Sequence, residues 1–323
     1  MPQGRPRILV PGKINKRVLD RLPDHFEPVF VAAADPALIT PELAASVAGI
    51  AVQGKISADF MDAFEHLEII ANFGVGYDGV DAVHAGRKGI AVTNTPDVLT
   101  EEVADTTIGL LLNTVRQLPQ AENWLRAGRW VRDGAFPLSP LTLRGRTVGL
   151  YGMGRIGLAI AKRLESFGVA IHYHTRTPRE GLAYVYHSTL KAMAEAVDTI
   201  IVIVPGTDST TRTINAEILA ALGADGVLIS VGRGSTVDEA ALTEALQRGV
   251  IAGAGLDVFE NEPHVGEDLM ALENVSLLPH VGSASQATRD GMADLVVDNL
   301  VAWFTTGKAL TPVPETPFTR KAG

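Results

Sequence analysis

Residues 148–157 read Val-Gly-Leu-Tyr-Gly-Met-Gly-Arg-Ile-Gly and contain the pattern Gly-x-Gly-x-x-Gly at Gly152, Gly154 and Gly157. The apolar residues up to Tyr151 predict a short buried strand, and the spacing of apolar residues after the pattern predicts a helix. In such a turn the first glycine permits a tight bend, the second lets the backbone approach a pyrophosphate, and the third lets the helix pack closely on the strand. The helix N-terminus adds free N–H groups and a positive dipole end. The stretch therefore predicts a dinucleotide site; the alternative is a turn that is rich in glycine for packing alone.

The composition is that of an ordinary globular enzyme, with 46% hydrophobic and 20% charged residues. A chain of 323 residues is too long for one ordinary core, so we expect two domains. The net charge of -9 and the absence of a Lys/Arg run argue against nucleic acid or membrane partners. The absence of cysteine excludes disulfides and thiolate catalysis. Without a signal-like or membrane-spanning segment, we expect a cytoplasmic protein.

Predicted strands and helices alternate twice along the chain, over residues 7–93 and again over residues 147–278. This alternation predicts two parallel, doubly wound sheets, with six strands in the second. Between the two series, residues 128–140 are rich in Gly and Pro, which predicts an extended crossing segment. A long helix over residues 285–304 follows the last strand, and we expect it to return to the first domain.

The second strand of the dinucleotide fold, residues 169–173, is not followed by an acidic residue. NAD sites commonly carry Asp or Glu about 20 residues after the glycines, where it binds the adenosine ribose. Here Thr175, Arg176 and Thr177 stand at that position. An Arg pairs bidentately with a 2′-phosphate that an acid would repel. We therefore predict NADP(H) rather than NAD(H), the alternative being that Arg176 is a surface residue on a turn.

Ionisable side chains follow three of the later predicted strands, at the ends where open α/β sheets bind ligands. They are Arg233, Asp257, Glu262 and His280. Each alone has an ordinary explanation in a turn or loop, but together at one sheet edge they form the default site hypothesis. His172 and His174 share a strand face without an evident third ligand, so we predict no metal site.

At these residues the chain resembles the D-isomer-specific 2-hydroxyacid dehydrogenases, and among them the NADP-using glyoxylate/hydroxypyruvate reductase branch. The resemblance covers nearly the whole chain. It is carried by Gly74-Val-Gly-Tyr-Asp78, Asn94-Thr-Pro-Asp97, Val103-Ala-Asp105, the stretch Gly152–Gly157, Val231-Gly-Arg-Gly234, Leu256-Asp-Val-Phe-Glu260 with Glu262-Pro263, and Pro279-His280. It implies an α/β fold in which a Rossmann coenzyme domain, residues 99–286, is inserted into a flavodoxin-like substrate domain, residues 1–98 plus 287–323.

The resemblance also implies roles that the chemistry of each side chain supports. Arg233 would pair with the carboxylate of the substrate and polarise its carbonyl group for hydride attack. His280 would give a proton to the carbonyl oxygen as the alcohol forms. Glu262 would orient the imidazole and favour its protonated form. Asp257 would hold the nicotinamide carboxamide.

The remaining expected contacts belong to the cofactor and the substrate. For the cofactor they are Gly152, Gly154, Arg155, Ile156, Gly157, Thr175, Arg176, Thr177, Val204, Pro205, Thr210, Val231, Gly232, Asp257, His280 and Ser283. For the substrate they are Gly74, Val75, Gly76, Arg233, His280 and Ser283. Backbone N–H groups of residues 74–76 are expected to form an anion nest, unless the turn serves packing alone.

Two further residues carry weaker expectations. Ser283 is hypothesised to hydrogen-bond the hydroxyl group that hydroxypyruvate has and pyruvate lacks; an unchanged hydroxypyruvate-to-glyoxylate ratio in Ser283→Ala would exclude it. Lys55 either adds positive charge near the pocket or is simply solvated, as exposed lysines usually are.

We therefore expect NADPH-dependent reduction of glyoxylate and hydroxypyruvate to 2-hydroxy acids, by a homodimer in which residues 130–138 contact the second subunit. One alternative is a D-2-hydroxyacid dehydrogenase of broader specificity. Another, from a different class, is an NADP(H)-sensing, corepressor-like binding protein. Loss of NADPH absorbance in the presence of glyoxylate separates the enzyme from the sensor.

Overall fold

The computed structural model describes residues 4–320, and these form two compact units. The split unit contains the described residues up to Leu99 together with those from Ser285 onward. The inserted unit runs from Thr100 to Ala284. The chain thus leaves the split unit once and returns to it once.

The split unit contains a parallel sheet whose five strands, within the described residues, lie in the order β2-β1-β3-β4-β5. This is the flavodoxin-like order of a doubly wound fold. Its elements before the inserted unit are β1 (Arg7–Pro11), α1 (Lys16–His25), β2 (Glu27–Val31), α2 (Pro41–Ser46), β3 (Val47–Val52), α3 (Ala58–Asp62), β4 (Ile69–Asn72), α4 (Ala82–Lys88) and β5 (Ala91–Thr93).

The inserted unit contains a parallel sheet of seven strands among the residues described, in the order β12-β11-β10-β9-β6-β7-β8. The strand order reverses between β6 and β9, which is characteristic of a dinucleotide-binding fold. Its elements are α5 (Thr100–Arg116), α6 (Leu118–Arg126), α7 (Arg129–Asp133), β6 (Thr147–Tyr151), α8 (Arg155–Glu165), β7 (Ala170–His174), β8 (Val185–His187), α9 (Leu190–Ala194), β9 (Thr199–Val202), α10 (Ala216–Leu222), β10 (Val227–Ser230), α11 (Glu239–Gln247), β11 (Gly253–Leu256), α12 (Glu267–Met270) and β12 (Val275–Leu277).

Burial on both faces explains why the central strands consist almost entirely of apolar residues. Leu150 in β6 and Ile201 in β9 are directly paired, and neither is exposed to solvent. On α8, Ile160 and Leu164 are also fully buried, which fixes the helix that begins at the glycine pattern against the sheet. The predicted class of two doubly wound α/β sheets is confirmed.

The last helix, α13 (Gln286–Thr306), belongs to the split unit and packs on α1. Arg17 pairs with Asp294 at 2.6 Å, and Arg21 pairs with both Asp294 and Asp298 at 2.9 and 2.8 Å. The two ends of the chain are therefore tied together by ion pairs as well as by apolar packing. No helix within residues 4–320 is long and apolar enough to cross a membrane.

Two expectations about local structure are wrong. The second sheet has seven strands rather than six, because the three residues of β8 add an edge strand too short to show a pattern. The segment 128–140 is not extended throughout, since α7 lies within it. Gly128 and Gly134, both with positive φ angles, flank this helix, so the glycines mark its ends instead of preventing it.

Candidate active site

The glycine pattern forms the turn between β6 and α8, as the sequence predicts. A Cβ atom on Gly157 would lie 2.4 Å from the carbonyl oxygen of Gly152, so no side chain fits there. Gly154 caps α8 without a side-chain hydrogen bond, and a Cβ atom on it would meet open space. The N-terminus of α8 is therefore open to a ligand that accepts hydrogen bonds.

The segment after β7 carries the cationic groups expected for an adenosine 2′-phosphate. Arg176 is exposed and makes no hydrogen bond or ion pair within the described part of the chain. Thr175 Oγ1 donates to the carbonyl of Thr177 at 2.7 Å, which closes the turn around Arg176. The guanidinium of Arg179 donates to the carbonyl of Met153 inside the glycine turn. These residues fit a phosphorylated dinucleotide, and the hydrogen bond from Arg179 to the glycine turn is a contact that the sequence reasoning missed.

The loop after β9 is shaped by Thr210. Its hydroxyl donates to the carbonyl of Pro205 at 2.6 Å and accepts from the N–H of Thr207 at 2.9 Å. Val204 is half-buried at the start of this loop. Contact of Val204, Pro205 and Thr210 with the cofactor stays a prediction. The hydrogen bonds of Thr210 fix the loop.

Arg233 is held in place through its two glycine neighbours. A Cβ atom on Gly234 would lie 1.9 Å from backbone atoms of Phe259, so the two loops touch through their main chains. The Arg233 guanidinium donates to the carbonyl of Gly232 at 2.9 Å. The carbonyl of Arg233 accepts from the backbone and the hydroxyl of Thr236. The backbone that carries this cation is thereby fixed on both sides.

Glu262 and His280 form a hydrogen-bonded pair. His280 Nδ1 lies 2.7 Å from Glu262 Oε2, and Glu262 Oε1 accepts from the N–H of Phe259 at 3.0 Å. Because a carboxylate only accepts, the Nδ1 atom carries a hydrogen and the Nε2 atom is the one left to give or take a proton. The His280 side chain is 47% exposed, so its outer nitrogen is accessible.

Asp257 holds the backbone of the two residues that follow His280. It is 2% exposed, and its two carboxylate oxygens accept from the N–H groups of Val281 and Gly282 at 2.7 and 2.8 Å. His280 itself has a φ of 54°, a left-handed conformation that is uncommon for residues other than glycine. Burial raises the pKa of Asp257, and the two backbone N–H groups oppose that rise. Sequence reasoning missed this clamp.

We expect Asp257→Asn to lower kcat by about tenfold or more. The amide keeps the shape of the side chain, but its nitrogen cannot accept the second N–H, and a lost buried hydrogen bond costs about 1–3 kcal/mol. Each 1.4 kcal/mol or so added to the barrier is tenfold in rate. Steady-state kinetics with saturating NADPH would measure the effect. Asp238→Asn is the control, because Asn caps a helix as well as Asp does; equal kinetics in the two variants would contradict the clamp.

An apolar cavity of about 230 Å³ lies beside the Glu262–His280 pair. Besides that pair, it is lined by Phe259, Pro263, Val265, Met270, Leu277, Leu278 and Pro279. A cavity of this size has room for an apolar side chain.

The other expected substrate residues are divided between the two units. Gly74, Val75 and Gly76 follow β4 in the split unit and are half-buried, whereas Arg233 and His280 lie in the inserted unit. Lys55 in the split unit is exposed. Ser283 is 9% exposed and lies in the inserted unit, three residues after His280.

His172 and His174 have a third histidine beside them, His187 on β8. His172 Nδ1 lies 2.9 Å from His187 Nε2, and His174 Nδ1 lies 2.8 Å from the carbonyl oxygen of His187. Burial, followed by the charge of His187, lowers the pKa of His172. Among residues 4–320, no group of three or more His, Cys, Asp or Glu is arranged to hold a metal ion. These histidines join β7 to the edge strand by hydrogen bonds.

Residues 108–282, more than half of the chain, match the model of the NAD binding domain of D-isomer specific 2-hydroxyacid dehydrogenases. The chain belongs to the D-isomer specific 2-hydroxyacid dehydrogenase family, which confirms the resemblance seen in its motifs.

Several relatives carry more particular names. A crystal structure of NADPH-dependent glyoxylate/hydroxypyruvate reductase from Sinorhizobium meliloti, in complex with NADP and malonate, shares 72% sequence identity with this chain at a TM-score of 0.97, covering 99% of this chain and 100% of that one. Glyoxylate/hydroxypyruvate reductase A of Arabidopsis thaliana is 48% identical over 83% of this chain and 85% of its own length. Hydroxyphenylpyruvate reductase of Plectranthus scutellarioides is 48% identical over 79% of this chain and 81% of its own length.

Proposed function

We propose that this protein reduces glyoxylate and hydroxypyruvate to the 2-hydroxy acids with NADPH as reductant. The Glu262–His280 pair at 2.7 Å carries the proposal, because it places an oriented proton donor in the unit that also holds the glycine turn. The S. meliloti relative supports the substrate and the cofactor, since it is named as an NADPH-dependent reductase of these two acids.

The residues of this chain divide the chemistry among them. When bound, NADPH would supply the hydride for the keto carbon. Arg233 would bind the carboxylate and draw electron density toward the carbonyl oxygen. His280 would donate the proton from Nε2 to that oxygen, while Glu262 accepts from Nδ1 and stabilises the charged imidazole. In the reverse direction, the same Nε2 atom would take the proton from the alcohol.

Arg176→Ala is expected to raise the KM for NADPH about tenfold to a hundredfold, with little change in the KM for NADH. A charge-assisted hydrogen bond is worth roughly 1.5–3 kcal/mol, and NADH has no 2′-phosphate to lose it. Arg144→Ala, which removes an exposed Arg elsewhere in the inserted unit, is the control. A preference for NADPH that survives the substitution would remove Arg176 from this role.

The activity itself is tested by a panel of 2-keto acids with NADPH and NADH, followed as loss of absorbance of the reduced nicotinamide. We expect turnover of glyoxylate and hydroxypyruvate, with NADPH preferred. Intact NADPH binding without turnover of any acid in the panel would favour the sensor-like binding protein instead.

A second candidate is reduction of 2-keto acids with apolar or aromatic side chains. The apolar cavity of about 230 Å³ next to His280 favours it, and a relative at 48% identity is named hydroxyphenylpyruvate reductase. Including hydroxyphenylpyruvate in the panel decides this point. If it is a substrate, Met270→Trp, which fills the cavity wall, should lower kcat/KM for it and spare glyoxylate.

We also infer a homodimer in the cytoplasm. In the segment that we expect to contact a second subunit, Trp130, Val131 and Leu138 are 63%, 96% and 95% exposed. Three large apolar side chains exposed within nine residues are consistent with a surface that a partner covers. Sedimentation of the double variant Trp130→Glu, Leu138→Glu should give a monomer where the parent chain gives a dimer. Cell fractionation tests the location.

A further inference from the structure

The turn that follows β4 has all three of its carbonyl groups hydrogen-bonded. Asn72 Nδ2 donates to the carbonyls of Gly74 and Gly76 at 3.2 and 3.1 Å. Asn94 Nδ2 donates to the carbonyl of Val75 at 2.8 Å. Two side-chain amides, one at the end of β4 and one just after β5, thus hold the carbonyls of this turn.

The N–H groups of the same turn face the other way. In a planar trans peptide, the C=O group and the N–H group of the next residue point in opposite directions. Each N–H group of Val75, Gly76 and Tyr77 therefore points away from the amide that holds the carbonyl before it. None of the three donates a hydrogen bond to a residue within the described chain. Successive N–H groups left without a protein acceptor are available to hydrogen-bond an anion.

Asparagine is the residue type that this arrangement requires. Asn72 is 5% exposed, and its amide group offers two hydrogens to two carbonyl oxygens. An apolar residue would remove the donor from both oxygens. The carbonyl of Gly74 would keep the N–H of Thr95 at 2.9 Å, whereas the carbonyl of Gly76 would lose its one donor among residues 4–320, and an unsatisfied carbonyl costs about 1–3 kcal/mol. Asn94 is fixed in turn, because the hydroxyl of Thr311 donates to its carbonyl at 2.6 Å. The frame is therefore rigid on both strands.

We propose that Asn72 and Asn94 are positioning residues that hold the turn 74–76 as the seat for the carboxylate of the 2-keto acid. The identity of the anion rests on the proposed function; the geometry of the seat does not. Without the two amides the carbonyls of Val75 and Gly76 lose their donors. The peptides that carry them are then free to rotate, and the N–H groups of Gly76 and Tyr77 lose their fixed directions. The seat is then lost although none of its own residues has changed.

The test measures oxalate binding by calorimetry in the presence of saturating NADP⁺, with oxalate as a non-reducible analogue of glyoxylate. Asn72→Leu keeps the volume of the side chain and removes both donors, and Asn94→Ala removes the third. We expect the Kd for oxalate to rise at least tenfold in each variant and further in the double variant, and the KM for glyoxylate to rise in parallel. The Kd for NADP⁺ should stay within twofold.

Glu68→Ala is the matched control. Glu68 lies just before β4, at the end of the strand opposite to Asn72, and accepts from Trp303 and Arg320. Its loss weakens the split unit without touching the turn, so oxalate binding should remain near that of the parent chain. Should Asn72→Leu fail to fold, the half-buried Asn94→Ala decides alone. Oxalate affinity within twofold of the parent in folded variants overturns this inference, whereas a parent chain that reduces no 2-keto acid overturns the proposed function instead.

Discussion

Replacing His280 by alanine is expected to lower kcat for glyoxylate reduction by about three orders of magnitude, with little change in NADPH affinity. A positioned general acid contributes roughly 10²–10⁴-fold to a rate, and His280 is the group whose outer nitrogen is free to donate while Glu262 holds the inner one. Steady-state kinetics give kcat, and quenching of protein fluorescence gives the affinity for NADPH.

Two companion variants sharpen this result. His66→Ala removes a histidine that is 69% exposed in the split unit, and it should leave kcat unchanged. Glu262→Gln keeps the size of the partner and removes its charge, so its loss should be smaller than that of His280→Ala. A His280→Ala enzyme that retains more than a tenth of the parent kcat would show that another group delivers the proton.

The second large effect is expected for Arg233→Lys, with a fall of about 10²-fold in kcat/KM for glyoxylate. Lysine keeps the positive charge but lacks the planar fork that binds a carboxylate and a carbonyl oxygen together. Removing one donor that stabilises a developing negative charge typically costs 10²–10³-fold. The loss should be equally large for hydroxypyruvate, because both acids share the groups that Arg233 would bind.

Arg248→Lys provides the matched control, since this exposed Arg in the inserted unit pairs only with Glu244 one turn away among the described residues. NADPH affinity should remain unchanged in both variants. A normal kcat/KM in Arg233→Lys would mean that a point charge suffices at this position, and bidentate recognition would have to be abandoned.

Prediction from sequence succeeded where a structure is local in the chain. The glycine turn, Gly152–Gly157, needs only the strand before it and the helix after it, and all three are contiguous. The sequence predicts Glu262 and His280 at one sheet edge, because parallel strands end on the same side. The pattern of apolar residues fixes where strands end to within a residue or two, which is enough to collect such side chains.

Prediction from sequence failed where a hydrogen-bond partner lies far along the chain, where a single side chain fixes a turn, or where a strand is very short. The hydrogen bonds of Asp257 run to the backbone of residues more than twenty positions later, and a buried acid gives no local sign of them. Asn72 is the last residue of β4, and the apolar pattern of the strand gives no sign that its amide holds the turn that follows. β8 has three residues, too few for any period to be recognised.

The packing of α13 on the N-terminal part of the split unit has a consequence for folding during synthesis. Residues up to Leu99 leave the ribosome first, yet Leu300 on α13, which packs against β3, is synthesised only after the whole inserted unit. Domains tend to fold as units during synthesis. The inserted unit can therefore fold on the nascent chain before α13 has been synthesised. Until then, the sheet of the split unit lacks the helix that covers part of its apolar surface. During synthesis, this protein is expected to bind NADPH before its split unit is complete. In that interval, chaperones can bind the exposed apolar sheet of the split unit.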